Sequence, residues 1–237
     1  MNVKILFNST SNNDHLSVGW GLAFLIGKHI LFDTGEKGSF LKNNIKTLKI
    51  DFSLVNYVVI SHDHWDHTGG LGDILKMTTD INVYSCPGFS TDFKQNVKSG
   101  KASLIENRTF TKIVENVYTT GEILGEYNGE QIAEQALVIE TERGLSVITG
   151  CAHPGIIKIL RTVKKNFNGK QLYSVLGGFH LLNTDPPHIQ GILDEFKKMG
   201  VKKVGPTHCS GSEAENMFRS HYKNDFLNMK VGENIII

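Results

Sequence analysis

The stretch SHDHWDHTGG, from Ser61 to Gly70, carries three histidines and two aspartates between positions 62 and 67. It directly follows the apolar run VNYVVI at 55–60, which predicts a buried strand. Burying several polar side chains at a strand end without partners would cost about 1–3 kcal/mol for each group. A bound divalent metal would remove that cost, so the stretch predicts a metal site.

The spacing within this stretch predicts two metal positions. Alternate residues of an extended segment project to the same side, so His62 and His64 are able to bind one ion. Asp66 and His67 lie on the turn that follows and are able to bind a second ion. Imidazole and carboxylate ligands favour Zn, Fe or Mn. Gly69 and Gly70 then permit a tight turn into a helix.

The composition limits the classes of partner. The chain has 237 residues, within the range of one α/β domain, and 25 basic against 24 acidic residues give a net charge of +1. This balance predicts no general attraction to nucleic acid or to an acidic membrane, so we expect a small-molecule substrate. Three cysteines without a CxxC pair, and no apolar run long enough for a leader or a membrane span, favour a reducing, cytoplasmic location.

The pattern of apolar residues predicts mixed sheets covered by helices. Two strands joined near Gly27 are followed by a helix, and a later hairpin with its turn at Arg143-Gly144 is followed by a helix with Ile156, Ile157, Leu160 and Val163 on one face. The segment from Phe89 to Glu134 is weakly patterned. It is either a mobile cover over a substrate pocket or an ordinary surface insertion.

Four segments of the chain resemble the metallo-β-lactamase superfamily. His62-x-His64-x-Asp66-His67 resembles the signature of that family. Three other segments resemble further family motifs, in family order: LFDTG (31–35), GCAHPG (150–155) and GPTHCSG (205–211). The resemblance implies a single α/β domain over 1–237, built as a four-layer αββα sandwich of two mixed sheets flanked by helices, with a lid or insertion at about 89–134.

The resemblance also implies a set of metal ligands. One ion would be bound by three histidines (His62, His64 and His153), and a second by Asp66, His67 and His208. The ions would be Zn²⁺, with Fe or Mn²⁺ as alternatives. The second histidine of the signature points to hydrolysis, in which Asp66 would also orient the attacking water. Asp33 would orient a ligand or anchor its loop, although it is also readable as a simple turn residue.

A narrower resemblance concerns three segments, two of which overlap those above. GCAHPGI, LGGFHL and PTHCSG resemble the 7,8-dihydropterin-6-methyl-4-(β-D-ribofuranosyl)aminobenzene-5'-phosphate synthase-like subgroup, whereas the early loop LSVGWGLAF departs from it. The aspartate that usually bridges the two metals is absent beside Gly177-Gly178, and His180 follows instead. His180 is interpreted first as a catalytic acid that contacts substrate, second as a metal ligand and third as structural. Cys151 and Cys209 are expected to be small packing residues.

These observations lead to three functional hypotheses. The first is a hydrolase whose dinuclear metal centre activates water against a small phosphorylated or heterocyclic metabolite. The second is a pterin-type synthase that condenses two substrates with loss of pyrophosphate. The third is a metal-binding sensor or interaction protein with little turnover.

Overall fold

The computed structural model describes residues 1–237, which form two compact units. The first unit comprises 1–108 and 229–236, and the second comprises 109–228 and 237. The strands are β1 (Asn2–Phe7), β2 (Ala23–Ile26), β3 (Ile30–Phe32), β4 (Tyr57–Val59), β5 (Asn82–Ser85), β6 (Ser103–Glu106), β7 (Thr111–Val114), β8 (Val117–Thr119), β9 (Ile123–Tyr127), β10 (Glu130–Glu134), β11 (Leu137–Thr141), β12 (Gly144–Thr149), β13 (Leu172–Gly178), β14 (Lys203–Thr207) and β15 (Asn234–Ile236). The α-helices are α1 (Gly38–Thr47), α2 (Trp65–Thr68), α3 (Leu71–Ile74), α4 (Thr91–Ser99), α5 (Ile156–Asn166), α6 (Pro186–Met199) and α7 (Gly211–Tyr222).

The first unit is built on one mixed sheet of seven strands, in the order β15-β1-β2-β3-β4-β5-β6. β15, β1, β2 and β3 pair antiparallel, whereas β3, β4, β5 and β6 pair parallel. β2 and β3 are buried at every position, and Gly27 between them has a φ of 60°, which glycine adopts without strain. Because β3 and β4 run parallel, the residues that follow them, Asp33 and Ser61, emerge at the same sheet edge.

Two helices of the first unit, α1 and α3, follow the predicted signals. α1 packs on β1 and buries Leu41, Asn44 and Ile45 at helical spacing. α2 is a single turn whose buried residues are Asp66 and His67. At Gly70 a Cβ atom would lie 2.3 Å from the Thr34 carbonyl oxygen, so this turn has no room for a side chain. The predicted tight turn after the histidine cluster is therefore confirmed.

The second unit contains a six-stranded mixed sheet, in the order β14-β13-β12-β11-β8-β7, and a separate hairpin of β9 and β10. β12, β13 and β14 are parallel, and the other strands of the sheet pair antiparallel. The hairpin turn lies at Glu142-Arg143, one residue earlier than predicted, since Thr141 pairs with Gly144. Both units thus confirm the predicted α/β class with two mixed sheets.

Helices α5, α6 and α7 form one apolar core with the sheet of the second unit. α6 begins at an Asp185 side-chain cap with proline in its first turn and ends at Gly200, which has a left-handed φ of 74°. In α5 the buried face consists of Ile156, Ile159, Leu160 and Val163. Ile157, predicted on that face, is only partly buried, because positions i, i+3, i+4 and i+7 of the helix face the core.

The weakly patterned segment at 89–134 is divided between the two units. Its first part forms α4, which begins at a Ser90 side-chain cap, and the edge strand β6. Its second part supplies β7 and β8 to the second sheet and then the β9–β10 hairpin. Most of the segment therefore belongs to regular elements, and only the hairpin stands outside the two large sheets. None of the seven helices is long and apolar enough to cross a membrane.

Candidate metal centre

The histidine cluster of the first unit lies directly after β4. His62 and His67 are fully buried, and their ring centroids are 4.2 Å apart. His64, immediately before α2, has its ring 4.7 Å from that of His62, edge to face. A ring nitrogen of His62 lies within 4.8 Å of a ring nitrogen of His64. The structure therefore brings the predicted ligands of the first unit together.

Asp33 lies beneath this cluster and is fully buried. Its Oδ1 accepts a hydrogen bond of 2.7 Å from the Ser61 backbone N–H. Its Oδ2 accepts hydrogen bonds of 2.8 Å from Ser61 Oγ and of 2.7 Å from His67 Nδ1. Asp33 itself has a left-handed φ of 57°, a conformation that aspartate tolerates better than most residues.

This network decides which ring nitrogens carry protons. Ser61 Oγ has one proton and donates it to Asp33, so it must accept the hydrogen bond of 2.9 Å from His62 Nδ1. His67 donates from Nδ1 to Asp33 directly. A neutral imidazole protonated at Nδ1 has its lone pair at Nε2, which is the atom able to bind a metal. One buried carboxylate thus prepares two histidines for ligation.

Asp33 and His67 form a tightly coupled buried pair. Burial alone would lower the pKa of His67, but the Asp33 charge and the hydrogen bonds that His67 donates to Asp33 and Asp66 raise it to about 10. Burial likewise raises the pKa of Asp33, against the opposing effects of His67 and Ser61. Without a metal, His67 therefore carries a proton on both ring nitrogens, and a metal ion would displace the proton on Nε2 while Nδ1 remains the donor to Asp33.

The spacing of Asp66 and His67 fits a divalent ion. Asp66 Oδ2 lies 3.4 Å from His67 Nε2. Two ligands of a tetrahedral ion with bonds of about 2.0–2.2 Å lie about 3.3–3.6 Å apart. The two side chains are therefore already separated as two ligands of one metal would be.

In the second unit a loop between β12 and α5 presents His153. Glu134, at the end of β10, accepts four hydrogen bonds from this loop. Its Oε1 accepts from the backbone N–H groups of Cys151 at 3.0 Å and Ala152 at 2.7 Å. Its Oε2 accepts from the backbone N–H of His153 at 2.8 Å and from its Nδ1 at 2.9 Å. As with His67, this bond makes Nε2 the metal-binding atom of His153.

Glu134 is held in its ionised form. Burial disfavours its charge, but the hydrogen bond and charge of His153 outweigh that effect, with the backbone donors of Ala152 and His153 contributing, and the pKa of Glu134 is lowered. Ala152 has a left-handed φ of 64° within this loop. The carboxylate therefore fixes an irregular loop conformation as well as one histidine tautomer.

His180 follows β13 and lies beside His153, with ring centroids 4.6 Å apart. Its side chain is exposed, its φ is 54°, and Tyr127 of β9 contacts both rings, at 5.8 Å from His180 and 5.2 Å from His153. The hydrogen bond with Cys209 raises the pKa of His180, more than burial lowers it. His180 is thus a solvent-accessible group that retains a proton more readily than an ordinary histidine.

His208 follows β14 in a short 3-10 turn, His208–Ser210, and is buried. Cys151 lies close to three histidines of this unit. Its sulfur lies within 4.8 Å of a ring nitrogen of His153 and of His180, and also of His208. The second unit therefore gathers three imidazoles around one thiol.

Sequence patterns did not reveal Ser61, Glu134 or Cys151 as site residues. Glu134 carries a detectable signal, since it is a charged residue at the inward end of a strand whose last three residues are buried. A buried glutamate needs several donors, and this one has four. Ser61 carries no such signal, because a serine after a strand is common in turns.

Residues 19–159 match the family model described as the metallo-beta-lactamase superfamily. The chain belongs to the metallo-β-lactamase superfamily. The family expected from the four sequence segments is therefore confirmed, and three of those segments, at 31–35, 62–67 and 150–155, lie within the matched range.

Two relatives of this metallo-β-lactamase-superfamily chain match it over almost its whole length. The 7,8-dihydropterin-6-methyl-4-(beta-D-ribofuranosyl)-aminobenzene-5'-phosphate synthase of Methanocaldococcus jannaschii is 30% identical, over 98% of this chain and 96% of the relative. The crystal structure of Tm1679, a metal-dependent hydrolase of the beta-lactamase superfamily, is 30% identical and superposes with a TM-score of 0.83, over 100% and 99% of the two chains. Human tRNase Z, short form, shares the fold with a TM-score of 0.61 at 13% identity, over 100% and 99%.

Proposed function

We propose that this protein is a hydrolase with a dinuclear metal centre that acts on a small phosphorylated or heterocyclic metabolite. One observation carries the proposal: in each unit a buried carboxylate, Asp33 or Glu134, accepts a hydrogen bond from Nδ1 of a histidine. Such carboxylate–histidine pairs orient Nε2 toward a metal. Similarity to Tm1679, named a metal-dependent hydrolase, supports the same activity.

The proposed ligands are those expected from the family resemblance. His62, His64 and His153 would bind one ion, and Asp66, His67 and His208 the other. For each ion, the first unit already holds two of the proposed ligands close together: His62 and His64 for one ion, and Asp66 and His67 for the other. Three protein ligands per ion leave a position for substrate or water, as in catalytic zinc sites. We propose Zn²⁺ for both ions, with Fe or Mn²⁺ as alternatives that a histidine-rich site accepts.

When bound, such ions polarise a phosphoryl or carbonyl oxygen and lower the pKa of water. Asp66 would orient the attacking water through the carboxylate oxygen that is not used for ligation. His180 would give a proton to the leaving group, which its exposed ring and raised pKa support. The β9–β10 hairpin would cover the substrate, since Tyr127 already contacts the rings of His153 and His180.

A synthase is the second candidate function. The relative from M. jannaschii that matches 98% of the chain is named a synthase. In this case the chain would condense a pterin-type substrate with a second substrate, with loss of pyrophosphate. Either reaction would take place in the cytoplasm, a location supported by three cysteines that form no disulfide.

A substrate screen separates the candidates. Protein loaded with Zn²⁺ or Mn²⁺ is assayed on phosphodiester, phosphomonoester and lactone substrates. Turnover of a single substrate supports the hydrolase, whereas pyrophosphate release only when two substrates are present supports the synthase. Binding of two metal equivalents with no turnover in either assay would support a sensor or interaction protein and overturn the proposal.

The variant His62→Ala tests the metal centre itself. We expect it to lose metal and activity together, because a site that loses one of three ligands no longer holds its ion. His15→Ala is the matched control, since His15 is an exposed histidine of the same unit. Absence of bound metal in the unmodified protein after reconstitution would contradict the proposal.

A further inference from the structure

Cys151 is a buried thiol, only 4% exposed, two residues before His153. Its sulfur and one ring nitrogen each of His153 and His180 all lie within 4.8 Å of one another, so these three residues form one group of potential metal ligands. The Cys151 sulfur also lies within 4.8 Å of a ring nitrogen of His208, and these two residues belong to a second group of potential metal ligands. Cys151 is therefore the side chain of the second unit that is common to both groups of potential metal ligands.

The position of Cys151 is fixed by the same carboxylate that orients His153. Glu134 Oε1 accepts the Cys151 backbone N–H, and Oε2 accepts the backbone N–H and Nδ1 of His153. The left-handed Ala152 between them shapes the loop. On the other side, the Cys151 carbonyl oxygen accepts a hydrogen bond of 3.5 Å from Cys209 Sγ.

A close backbone contact holds the loop against β13. A Cβ atom on Gly178 would lie 3.2 Å from Cys151 Cα and 2.6 Å from Cys209 Sγ. Only glycine permits this approach. A thiol placed so firmly among three imidazoles has the surroundings of a metal ligand, whereas a packing residue would be surrounded by apolar groups.

We propose that Cys151 is a thiolate ligand that bridges the two metal ions, one bound by His153 and the other by His208. The inference rests on the proposed dinuclear centre and adds a sulfur ligand to it. A thiol that binds a metal loses its proton, so each bridge releases one proton to solvent. The thiolate would lower the net charge of two adjacent cations. It would leave His180, exposed and hydrogen-bonded to Cys209, for proton transfer.

Cobalt substitution tests the sulfur ligand without an activity assay. Metal-free protein is titrated with Co²⁺ while bound metal and near-ultraviolet absorption are both recorded. We expect a thiolate-to-cobalt charge-transfer band that grows through both equivalents, because a bridging sulfur contacts both ions. Cys151→Ser should lose the band, whereas Cys86→Ser and Cys209→Ser should retain it.

The number of Co²⁺ equivalents bound shows whether the bridging thiolate alone is wrong or the proposed dinuclear centre is wrong as well. Binding of two equivalents without the band, or a band that persists in Cys151→Ser, overturns the bridging thiolate and leaves the dinuclear centre intact. A band that is complete at the first equivalent also overturns it, since the sulfur would then be a terminal ligand. Absence of any bound Co²⁺ overturns both proposals.

X-ray absorption on the unmodified zinc-loaded protein makes the test independent of whether the variants fold. A bridging Cys151 gives one sulfur neighbour per zinc ion at about 2.3 Å. A terminal sulfur gives one for every two ions, and a packing cysteine gives none. Either of the last two results would overturn the proposal.

Discussion

Asp33 is the residue on which two histidines of the first unit depend. It accepts a hydrogen bond from His67 directly and controls His62 through Ser61. Both rings thereby keep a proton on Nδ1, which leaves Nε2 as the atom available to a metal. The buried carboxylate thus acts on the proposed metal ligands without requiring contact with the metal.

Asp33→Asn should weaken metal binding while preserving the size of the side chain. The amide nitrogen would face N–H or O–H donors, so at least one of the three hydrogen bonds is lost and a histidine reorients. We expect a fall in metal affinity of about 10–100-fold, measured by competition with a chromophoric chelator. Asp63→Asn is the control, because Asp63 accepts a hydrogen bond from the Ser90 backbone. Equal affinities in the two variants would show that Asp33 does not orient the ligands.

His180→Ala should lower turnover by a larger factor than it lowers metal content. A general acid typically contributes about 10²–10⁴-fold to rate, whereas the six proposed ligands remain in place in this variant. Both quantities are measured on one preparation. Full activity would assign His180 a structural role, and loss of one metal equivalent would make it a ligand.

Among the elements, strand β10 and the loop that follows β12 are joined by hydrogen bonds to Glu134. The final residue of β10, Glu134, supplies both carboxylate oxygens to the loop that presents His153. An irregular loop with a left-handed alanine is stable here because its backbone donors are bound by a charged acceptor. The strand is therefore required for the conformation of the loop.

Glu134→Gln should destabilise the metal-free protein. Glutamine has one oxygen where glutamate has two, so buried donors of the loop would face an amide nitrogen. We expect the free energy of unfolding to fall by about 2–4 kcal/mol, measured by urea denaturation. Glu130→Gln, an exposed position in the same strand, should change it by less than about 0.5 kcal/mol. Similar stability of the two variants would refute the role of Glu134 in holding the loop.

The contacts of the β9–β10 hairpin limit which part of the segment at 89–134 is free to move as a cover. A Cβ atom on Gly125 would lie 2.6 Å from the His153 carbonyl carbon, and Lys158 Nζ donates to the Leu124 carbonyl oxygen at 2.8 Å. The base of the hairpin is thus packed against the His153 loop and α5. Its tip, with Asn128 and Gly129 at positive φ, is exposed. We therefore assign any covering motion to the tip.

Tyr127→Ala should change the relative rates on a panel of substrates. The ring of Tyr127 contacts His153 and His180, so its removal alters the surface that a substrate would meet. Tyr173→Ala is the matched control, since Tyr173 is a half-buried tyrosine of the same unit that contacts Arg143. Unchanged relative rates in Tyr127→Ala would exclude the hairpin from substrate selection.

For the whole molecule, the proposed metal binding would be coupled to stability. A ligand that binds only the folded state stabilises it by about 2.7 kcal/mol at a concentration 100 times its dissociation constant. For a chain of this size, each kcal/mol corresponds to about 2–4 °C in Tm. We expect chelation to lower the Tm of the zinc-loaded protein by about 5–10 °C and to have little effect on His62→Ala. An equal response of both proteins to the chelator would contradict binding at His62.

The sequence determined the elements and the chemical type of the site. Local periodicity predicted the β2–β3 and β11–β12 hairpins and helices α1 and α5, because each pattern is complete within one segment. It missed α4, whose only apolar buried positions are Phe93 and Val97, and β10, where three of the five residues are charged or polar. The ligand types were also evident, since histidines and aspartates at strand ends are costly unless they bind something.

Only the tertiary structure decided how the potential ligands are held. Asp33 and His67 are 34 residues apart, Glu134 and His153 are 19 apart, and Cys209 and Cys151 are 58 apart. A hydrogen bond between such residues depends on which strands are neighbours in a sheet, and no local pattern records that. Strand pairing set β3 beside β4 and so placed Asp33 beside Ser61. The sequence therefore determined what the site is made of, whereas the tertiary structure decided which buried carboxylate orients His62, His67 and His153.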